Sequence, residues 1–344
     1  MKITIVGAGA IGGTIGAYLA RAGHPVQLLD RDQAHVAAMR DHGLTIRGFA
    51  ETFTVPVDAH ITGDQDDPLD VVLLAVKSQH TEEALAGVIH RFGPRSCVVS
   101  LQNGLCEQII AGIIGPQRTI GCFVNFSADY LEPGIITYGG SGSLYLGELD
   151  GAPSTRVQTL AHALSSWGPV SITANIWGYL WGKLGYAAML FATALADETM
   201  ADVIDRYRPL MVELAAEVYA VAAREGVVVE PFDNVEPALF YPREGRREEE
   251  ITRSLDALVE RRRHDQKSKS GIWRDLAVRR RTTEVDQQIG LVVEYGARHG
   301  LQLPLTRQLV TMIHDLEAGR RPMCWENLDA LDALQRATYG DAAW

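Results

Sequence analysis

The sequence has little of what typifies a disulfide-stabilised, zinc-binding or secreted protein. Only four of its 344 residues are cysteines, Cys97, Cys106, Cys122 and Cys324. None forms a C-x-x-C pair or a cluster with ligand spacing, so the sequence predicts no disulfide framework and no metal site. Scattered cysteines of this kind fit a reducing compartment.

Excess positive charge is also missing. The formal net charge is −11 at pH 7, and the one basic cluster, at residues 261–263, lies close to acidic residues. A solvated helical face accounts for that cluster better than an RNA site does. We therefore expect no nucleic-acid partner.

Long apolar segments are absent as well. The longest apolar run, residues 184–196, is shorter than the roughly 20 residues that a membrane-spanning helix needs. The chain begins directly with an apolar strand and a glycine-rich loop, which leaves no room for a secretory signal peptide. These features predict a cytoplasmic protein without a membrane partner.

The first thirty residues carry the clearest functional signal. An apolar, β-branched run at residues 2–6 predicts a buried parallel strand, and three glycines follow it at G-x-G-x-x-G spacing. The first glycine permits a tight turn, the second has no Cβ to obstruct a pyrophosphate, and the third lets the next helix pack on the strand. The predicted cofactor-binding loop consists of Gly7, Ala8, Gly9, Ala10, Ile11 and Gly12.

The second predicted strand, residues 26–29, ends at an acidic residue, Asp30. It lies about 20 residues beyond the glycines, where a carboxylate accepts hydrogen bonds from a ribose 2′-hydroxyl. A carboxylate there repels a 2′-phosphate and favours NAD, whereas the adjacent Arg31 could reach the 2′-phosphate of NADP. The sequence predicts a nicotinamide dinucleotide cofactor and leaves the choice between NAD and NADP open.

Alternating strands and helices up to about residue 174 predict a doubly wound, mostly parallel sheet. Two of the predicted strands end in polar residues, with Lys77 after the run at 69–76 and Asn103 after the run at 96–101. Because the carboxyl ends of parallel strands face the ligand crevice, both side chains are candidate contacts to cofactor or substrate.

From residue 175 onward the sequence predicts helices and no strand. We therefore expect an α/β Rossmann domain at 1–174 and an all-α domain at 175–344. The stretch 200–225 is predicted to be one long helix, and the tail after Pro322 receives no assignment.

Two charged residues of this half stand out. Lys183 lies in the most apolar predicted helix, residues 176–196, where a lysine must be paired, reach the surface or line a cleft. Glu284 begins a later helix, a position that the helix dipole alone would favour for an acid.

Five motifs in this order resemble the ketopantoate reductase family, over nearly the whole chain. They are G-A-G-A-I-G at 7–12, A-V-K at Lys77, Q-N-G at Asn103, W-G-K-L at Lys183, and D-x(8)-E-x-D from Asp275 through Glu284 to Asp286. The resemblance implies a Rossmann domain followed by a helical domain for substrate and dimer contacts, with the active site in the cleft between them. It implies hydride transfer from the nicotinamide of NADPH to the carbonyl carbon of a 2-oxo acid.

The resemblance also implies roles for single residues. Lys183 corresponds to the general acid that protonates the developing alkoxide, and Glu284 to a carboxylate that holds the substrate hydroxyl. Lys77 and Asn103 correspond to the pair near the cofactor ribose and nicotinamide, and Asn103 is also a candidate substrate contact. The oligomeric state stays open between a monomer and the homodimer that the resemblance implies.

Three positions depart from the family pattern. The family's asparagines one and two turns after the lysine are replaced by Ala187 and Phe191, and a serine that binds the substrate carboxylate is replaced by Gly271, beside Ser270. We keep these four positions as candidate substrate contacts and expect a bulkier or more apolar substrate than ketopantoate. A substitute anchor for the carboxylate could come from Lys267, Lys269 or Arg274.

Two other functions stay open on the sequence. A 3-hydroxyacid or opine-type dehydrogenase would also join a Rossmann domain to a helical one, although W-G-K-L and the Glu284 segment favour the 2-oxo acid reductase. A non-catalytic dinucleotide-binding sensor is supported by the loss of the two asparagines and opposed by the retention of Lys183 and Glu284.

Overall fold

The computed structural model describes residues 1–48, 50–140, 142–264 and 267–340. The chain divides into two units, Met1–Ile176 and Trp177–Trp344. The sequence placed this boundary near residue 174.

The first unit alternates strands with helices. Its strands are β1 Ile3–Val6, β2 Val26–Asp30, β3 Leu44–Gly48, β4 Thr52–Val55, β5 Asp58–Ile61, β6 Leu69–Leu74, β7 Phe92–Ser100, β8 Thr119–Asn125, β9 Ala128–Glu132, β10 Ile135–Tyr138, β11 Ser143–Glu148 and β12 Val170–Ile172. Its helices are α1 Ala10–Arg21, α2 Gln33–His42, α3 Thr81–Ala86, α4 Cys106–Ile114 and α5 Thr155–Leu164.

The larger of its two sheets confirms the predicted doubly wound, mostly parallel arrangement. Its eight strands follow the order β12-β11-β8-β7-β6-β1-β2-β5. Among the described residues of this sheet, only the pairing of β11 with β8 is antiparallel. All four residues of β1 are buried, because a central parallel strand is covered on both faces.

A second, four-stranded sheet has the order β4-β3-β10-β9. β3 and β4 form an antiparallel hairpin, and β10 pairs with β3 in parallel and with β9 in the antiparallel sense. This sheet packs against the first helix. A Cβ added to Gly13 of α1 would lie only 2.3 Å from Cδ1 of Ile136 on β10. The small sheet is thereby held close to the glycine-rich loop that precedes α1.

The second half confirms the predicted helical composition. Its helices are α6 Ile176–Thr193, α7 Met200–Arg206, α8 Arg208–Arg224, α9 Glu248–His264, α10 Gly271–Ala277, α11 Leu291–Arg298, α12 Pro304–Glu317 and α13 Trp325–Tyr339. Within its described residues the only strand-like pairing is an isolated bridge between Phe232 and Val235.

The single helix predicted at 200–225 is wrong, because the chain forms α7 and α8 with a break at Tyr207. Pro209 lies in the first turn of α8. A proline has no N–H to donate to the preceding turn, and its ring clashes with a helical conformation there, so the helix must end and restart.

The unassigned tail contains α13, which is tied to the end of α6. The Cys324 N–H donates to the Leu195 carbonyl at 3.0 Å, and the buried Asn327 amide donates to the same oxygen at 2.9 Å. These two bonds fix the carboxy-terminal helix to the helix that carries Lys183.

Three general features bear on the class of protein: membrane spans, metal sites and cysteines. Among the helices of the described ranges, none is long and apolar enough to cross a membrane. The same ranges contain no group of three or more His, Cys, Asp and Glu side chains that could hold a metal ion. Three of the four cysteines are buried free thiols.

Glycines on α6 allow it to pack unusually closely against its neighbours. A Cβ on Gly185 would lie 2.3 Å from ring carbons of Tyr219 on α8, and a Cβ on Gly182 would lie 2.8 Å from the Glu230 carbonyl oxygen. The Tyr219 hydroxyl donates to the Gly182 carbonyl at 3.0 Å. The two glycines flank Lys183 closely in the sequence, so this packing sets the position of the lysine.

Replacing Gly185 with alanine should therefore destabilise the protein. We expect Gly185→Ala to lower the free energy of unfolding by about 1–3 kcal/mol, since the methyl group overlaps the buried Tyr219 ring. The matched control is Gly112→Ala on the exposed face of α4, where a Cβ has no neighbour within 4 Å. That change should raise stability by up to about 1 kcal/mol. Denaturant titration of both variants measures the difference, and equal stabilities would contradict the packing argument.

Candidate active site

Four neighbouring parallel strands bring the predicted cofactor residues to one edge of the large sheet. Gly7 follows β1 directly and Asp30 is the last residue of β2, while Lys77 and Asn103 lie just beyond the ends of β6 and β7. These strands are adjacent in the order β7-β6-β1-β2. Their carboxyl ends form the crevice where open α/β sheets bind ligands.

The three motif glycines differ in the space around them. Gly7 has φ +95°, and a Cβ there would lie 2.8 Å from the Val76 nitrogen. A Cβ on Gly12 would lie 2.1 Å from the Gly7 carbonyl oxygen, so α1 touches the strand turn only because this residue is glycine. A Cβ on Gly9 would have no atom within 4 Å among the described residues beyond its chain neighbours. The space next to Gly9 is therefore open to a ligand, directly at the start of α1.

Helix α1 begins at Ala10, directly after the second motif glycine. Gly9 is its N-cap and has no side chain that could cap the first turn. The amide groups at this end have no partner within the helix, and together with the helix dipole they favour a bound anion.

The carboxylate of Asp30 is hydrogen-bonded to the glycine-rich loop and to the start of α2. Its two carboxylate oxygens accept the N–H of Ala8 at 2.8 Å and the N–H of Asp32 at 3.0 Å. These bonds fix the carboxylate at the end of β2. A carboxylate oxygen can accept more than one hydrogen bond, so Asp30 retains the capacity to bind a ribose hydroxyl.

The neighbouring Arg31 extends toward the loop after β6. Its guanidinium lies 3.3 Å from Nε2 of His80, whose Nδ1 lies 3.4 Å from a carboxylate oxygen of Glu83. His80 was not among the predicted site residues. Its only signal in the sequence is its position three residues after Lys77.

Gln102 is a second residue that the sequence did not single out, although it belongs to the Q-N-G motif. It is buried, and its amide donates to the Val76 carbonyl at 3.0 Å and to the Thr81 hydroxyl at 2.8 Å. These bonds join the loop after β7 to the loop after β6. They thereby fix the relative positions of the segments that carry Asn103, which is exposed, and Lys77, which is half-buried.

In the second unit, Lys183 lies on a half-buried face of α6. Tyr179, Lys183, Ala187 and Leu190 are all half-buried, whereas most other residues of this helix are buried. Their spacing of four, four and three residues places them on one face. Leu190, one position before the predicted Phe191, is therefore a candidate contact that sequence reasoning missed. The helical period of seven from Lys183 could have identified it.

Phe191 does not belong to that face. Its side chain is fully buried at 0% exposure, and it lies about 80° around the helix from Lys183 at 100° per residue. It lies in the core behind the face, so its part in any substrate pocket would be to support Ala187 and Leu190.

Ser270 and Gly271 open helix α10. The buried Ser270 is the N-cap, and its hydroxyl accepts the Trp273 N–H at 3.1 Å. A Cβ added to Gly271 would lie 4.0 Å from the ammonium nitrogen of Lys267. The charge of Lys267 thus lies beside the position where the family has a serine side chain.

The alternative anchor Lys269 is engaged elsewhere. Its ammonium group forms an ion pair with Asp197 and lies 4.2 Å from the ring centroid of Trp273. The Trp273 indole N–H donates to the same Asp197 carboxylate at 2.9 Å. The Lys269 side chain lowers the pKa of Asp197 below its usual range by donating to it. The third alternative, Arg274, lies on α10.

Glu284 is 6% exposed and precedes a π-helical turn, Asp286–Gly290, that leads into α11. The preceding Thr283 is held by Glu317 of α12, which accepts both its N–H and its hydroxyl at 2.7 Å. Such π turns occur frequently at functional sites. Glu284 therefore has a fixed, nearly buried position, which a simple N-terminal helix acid would not have.

Comparison with known proteins identifies a family. The profile of ketopantoate reductase PanE/ApbA matches residues 3–151, and that of its C-terminal domain matches residues 175–317. The 2-dehydropantoate 2-reductase of Mesorhizobium japonicum is 31% identical over 255 residues, which cover 66% of this chain and 77% of that protein.

Solved structures share the fold. A PanE/ApbA family ketopantoate reductase from Ralstonia eutropha has a TM-score of 0.79 at 26% identity, over 93% of this chain and 99% of that one. D-mandelate dehydrogenase with NADH and anilino(oxo)acetate also has a TM-score of 0.79, at 23% identity and the same coverage. At that identity the second likeness shows the fold alone.

Two glycine substitutions in the loop should separate folding from ligand binding. Gly9→Ala should change the melting temperature little, because its Cβ meets open space, yet weaken NADH or NADPH binding at least about tenfold by filling the pyrophosphate approach. Gly12→Ala should destabilise the fold by at least about 1–3 kcal/mol, because its Cβ overlaps the Gly7 carbonyl. Thermal melting and calorimetric titration test both, and full dinucleotide affinity in Gly9→Ala would contradict this use of the loop.

Proposed function

Because the chain belongs to the ketopantoate reductase family, we propose that it reduces a 2-oxo acid whose side chain is more apolar than that of ketopantoate. The chain is an NAD(P)-dependent oxidoreductase acting on a C=O or CH–OH group, as are relatives named 2-dehydropantoate 2-reductase. The observation that carries the substrate proposal is the face of α6, where Lys183 lies beside Ala187 and Leu190.

The residues of the first unit fit a nicotinamide dinucleotide. The open space at Gly9 and the amides at the start of α1 suit a pyrophosphate. The Asp30 carboxylate suits the adenine ribose, and we assign Lys77 and Asn103 to the ribose and nicotinamide at the far end. When bound, the dinucleotide supplies the hydride that goes to the carbonyl carbon of the substrate.

We propose that NADH is preferred over NADPH. The Asp30 carboxylate is fixed at the strand end by two backbone N–H groups, so it cannot easily turn away from a 2′-phosphate. The Arg31 guanidinium, which could compensate if it reached the phosphate, lies against His80 instead. The use of NADPH by the family relatives instead favours NADPH for this chain.

Lys183 is the proposed general acid. As the hydride reaches carbon, the carbonyl oxygen gains negative charge, and an ammonium beside it stabilises that charge. The ammonium then gives its proton to the oxygen, which forms the hydroxyl and leaves a neutral amine that regains a proton from solvent. We assign Glu284 to accept a hydrogen bond from that hydroxyl.

The substrate side chain is proposed to lie against Ala187 and Leu190. Ala187 offers no hydrogen bond where the family has an asparagine, and Leu190 is the next half-buried residue on that face. The hydroxyl of ketopantoate would lack a partner there, which weakens binding, whereas a branched or aromatic side chain would gain apolar contact. The D-mandelate dehydrogenase bound to anilino(oxo)acetate has the same fold, so the fold accommodates an aryl group.

Lys267 is the proposed anchor for the substrate carboxylate. Its ammonium nitrogen lies 4.0 Å from the position of a Cβ on Gly271, where the family's serine would bind this group. An ammonium in place of a hydroxyl gives a charge-assisted hydrogen bond, which is stronger than a neutral one. The Ser270 hydroxyl accepts the cap bond of α10 and can still donate, but as a neutral donor it would bind a carboxylate less strongly than an ammonium does.

Further expectations from the sequence concern the type of dehydrogenase, the roles of the two units, the homodimer and the cellular location. The family match over both halves of the chain favours this reductase over a 3-hydroxyacid or opine-type dehydrogenase. Dinucleotide binding by the first unit and substrate contacts by the helical unit are part of the present proposal. The homodimer and the cytoplasmic location stay predictions.

The proposal is tested by following NADH and NADPH oxidation with a panel of 2-oxo acids. We expect 2-oxo acids with branched or aromatic side chains to exceed ketopantoate at least about tenfold in kcat/KM, with NADH as the better cofactor. Lys183→Met should lower kcat by a factor of about 10²–10⁴ without loss of dinucleotide affinity. Ala187→Asn should raise kcat/KM for ketopantoate relative to that for the 2-oxo acids with apolar side chains.

Two results would contradict these assignments. Ketopantoate as the best substrate of the parent protein would refute the apolar pocket while leaving the reductase reaction intact. An unchanged kcat in Lys183→Met would remove the lysine from the chemistry.

The carboxylate anchor is tested by comparing two neighbouring lysines. Lys267→Ala should raise KM for the 2-oxo acid at least about tenfold, since a charge-assisted hydrogen bond is lost, with a smaller effect on kcat. Lys269→Ala, whose partner is the exposed Asp197, should change KM by less than about twofold. Adding Gly271→Ser to Lys267→Ala should recover part of the affinity. A larger effect at Lys269 than at Lys267 would reverse the assignment.

A further inference from the structure

The backbone of Ala8, in the centre of the glycine-rich loop, is hydrogen-bonded through both its N–H and its carbonyl oxygen. Its N–H donates to Asp30 at 2.8 Å, and its carbonyl accepts a hydrogen bond from His35 Nε2 at 2.9 Å. His35 lies on α2 and is fully buried at 0% exposure. A loop with glycines on either side is intrinsically mobile, so these bonds restrict the segment that the proposed cofactor must meet.

The tautomer of His35 is determined by its second partner. The Gly134 N–H, in the turn between β9 and β10, lies 2.9 Å from His35 Nδ1. A backbone N–H can only donate, so Nδ1 must accept, and the ring proton is then on Nε2. That proton points to the Ala8 carbonyl, which can only accept. The turn of the small sheet thus orients the donor that holds the loop.

The Asp30 side of the loop leads back to the same hairpin. Tyr130 of β9 donates to Asp32 at 2.7 Å, and Asp32 is the N-cap of α2 and donates its own N–H to Asp30. The Tyr130 ring also lies on the His35 ring, with 4.5 Å between centroids. Burial and the bond to Asp32 raise the pKa of Tyr130, so its hydroxyl remains a donor at neutral pH.

We propose that the β9–β10 hairpin positions the dinucleotide-binding loop, with His35 and Tyr130 as positioning residues that act through Ala8 and Asp30. This inference rests on the proposed dinucleotide binding. A loop that is already ordered loses less conformational entropy when the ligand binds, so the network contributes to affinity. It does not touch the reacting atoms and should leave the chemical step unchanged.

Two amide substitutions at His35 separate its two bonds. In His35→Gln the side-chain amide reaches the position of Nε2 and can still donate to Ala8. In His35→Asn the shorter side chain has an acceptor near the position of Nδ1 for Gly134 and does not reach Ala8. Loss of the Ala8 bond should weaken NADH binding about tenfold in His35→Asn, with at most about a threefold change in His35→Gln.

Tyr130→Phe provides an independent test at a half-buried position where folding is not endangered. We expect about a threefold weaker NADH affinity from removal of this one hydroxyl. Tyr138→Phe, on β10 of the same sheet, is the matched control and should leave affinity unchanged. Calorimetric titration with NADH gives the dissociation constants, and kcat at saturating NADH should stay within about twofold of the parent in each case.

The outcomes distinguish this inference from the proposed function. A parent protein that binds neither NADH nor NADPH refutes dinucleotide binding and the positioning role together. A parent that binds, with Tyr130→Phe and both His35 variants at parental affinity, refutes the positioning role alone. Lower melting temperatures at unchanged affinity would likewise refute it, because the network would then serve only the fold. Weaker NADH binding in His35→Asn and Tyr130→Phe, together with near-parental NADH binding in His35→Gln, supports the positioning role.

Discussion

Parallel pairing of β2, β1, β6 and β7 is the constraint on which the amino-terminal unit depends. Parallel strands end at a common edge, so residues that are far apart in the sequence, such as Asp30 and Asn103, lie along one crevice. The pairing also forces each connecting helix to start at that edge. Helix α1 then begins directly at the glycine-rich loop, and its amide groups face the space beside Gly9.

Close packing has a comparable role in the helical unit. The glycines around Lys183 let α6 approach Tyr219 and the 230–232 segment, at the cost of weaker intrinsic helix formation. One result is a helix that is buried on most sides and keeps a single half-buried face for the lysine. The chemistry of that face follows from which residues share it. Ala187 and Leu190 make it apolar, so the role proposed for Lys183 is compatible with a changed substrate.

The errors in the secondary-structure predictions have local physical causes. Apolar periodicity runs through Tyr207, and only Pro209 marks the break between α7 and α8. Helix α13 was not assigned because its sequence is polar, and its position depends on bonds from Cys324 and Asn327 to Leu195. The strand β9 contains no run of four apolar residues, and it is ordered by pairing with β10.

The sequence by itself determined the fold class, the glycine loop, the acid at the end of β2 and the polar residues after β6 and β7. Each of these depends on short-range patterns, such as a strand followed by glycines, that are readable within a few residues. The tertiary structure decided which residues support them. His35, Tyr130 and Gly134 come together across about 100 residues of sequence, and the complete burial of Phe191 depends on what α6 packs against. No local pattern records such contacts, because they arise only when separate elements pack against one another.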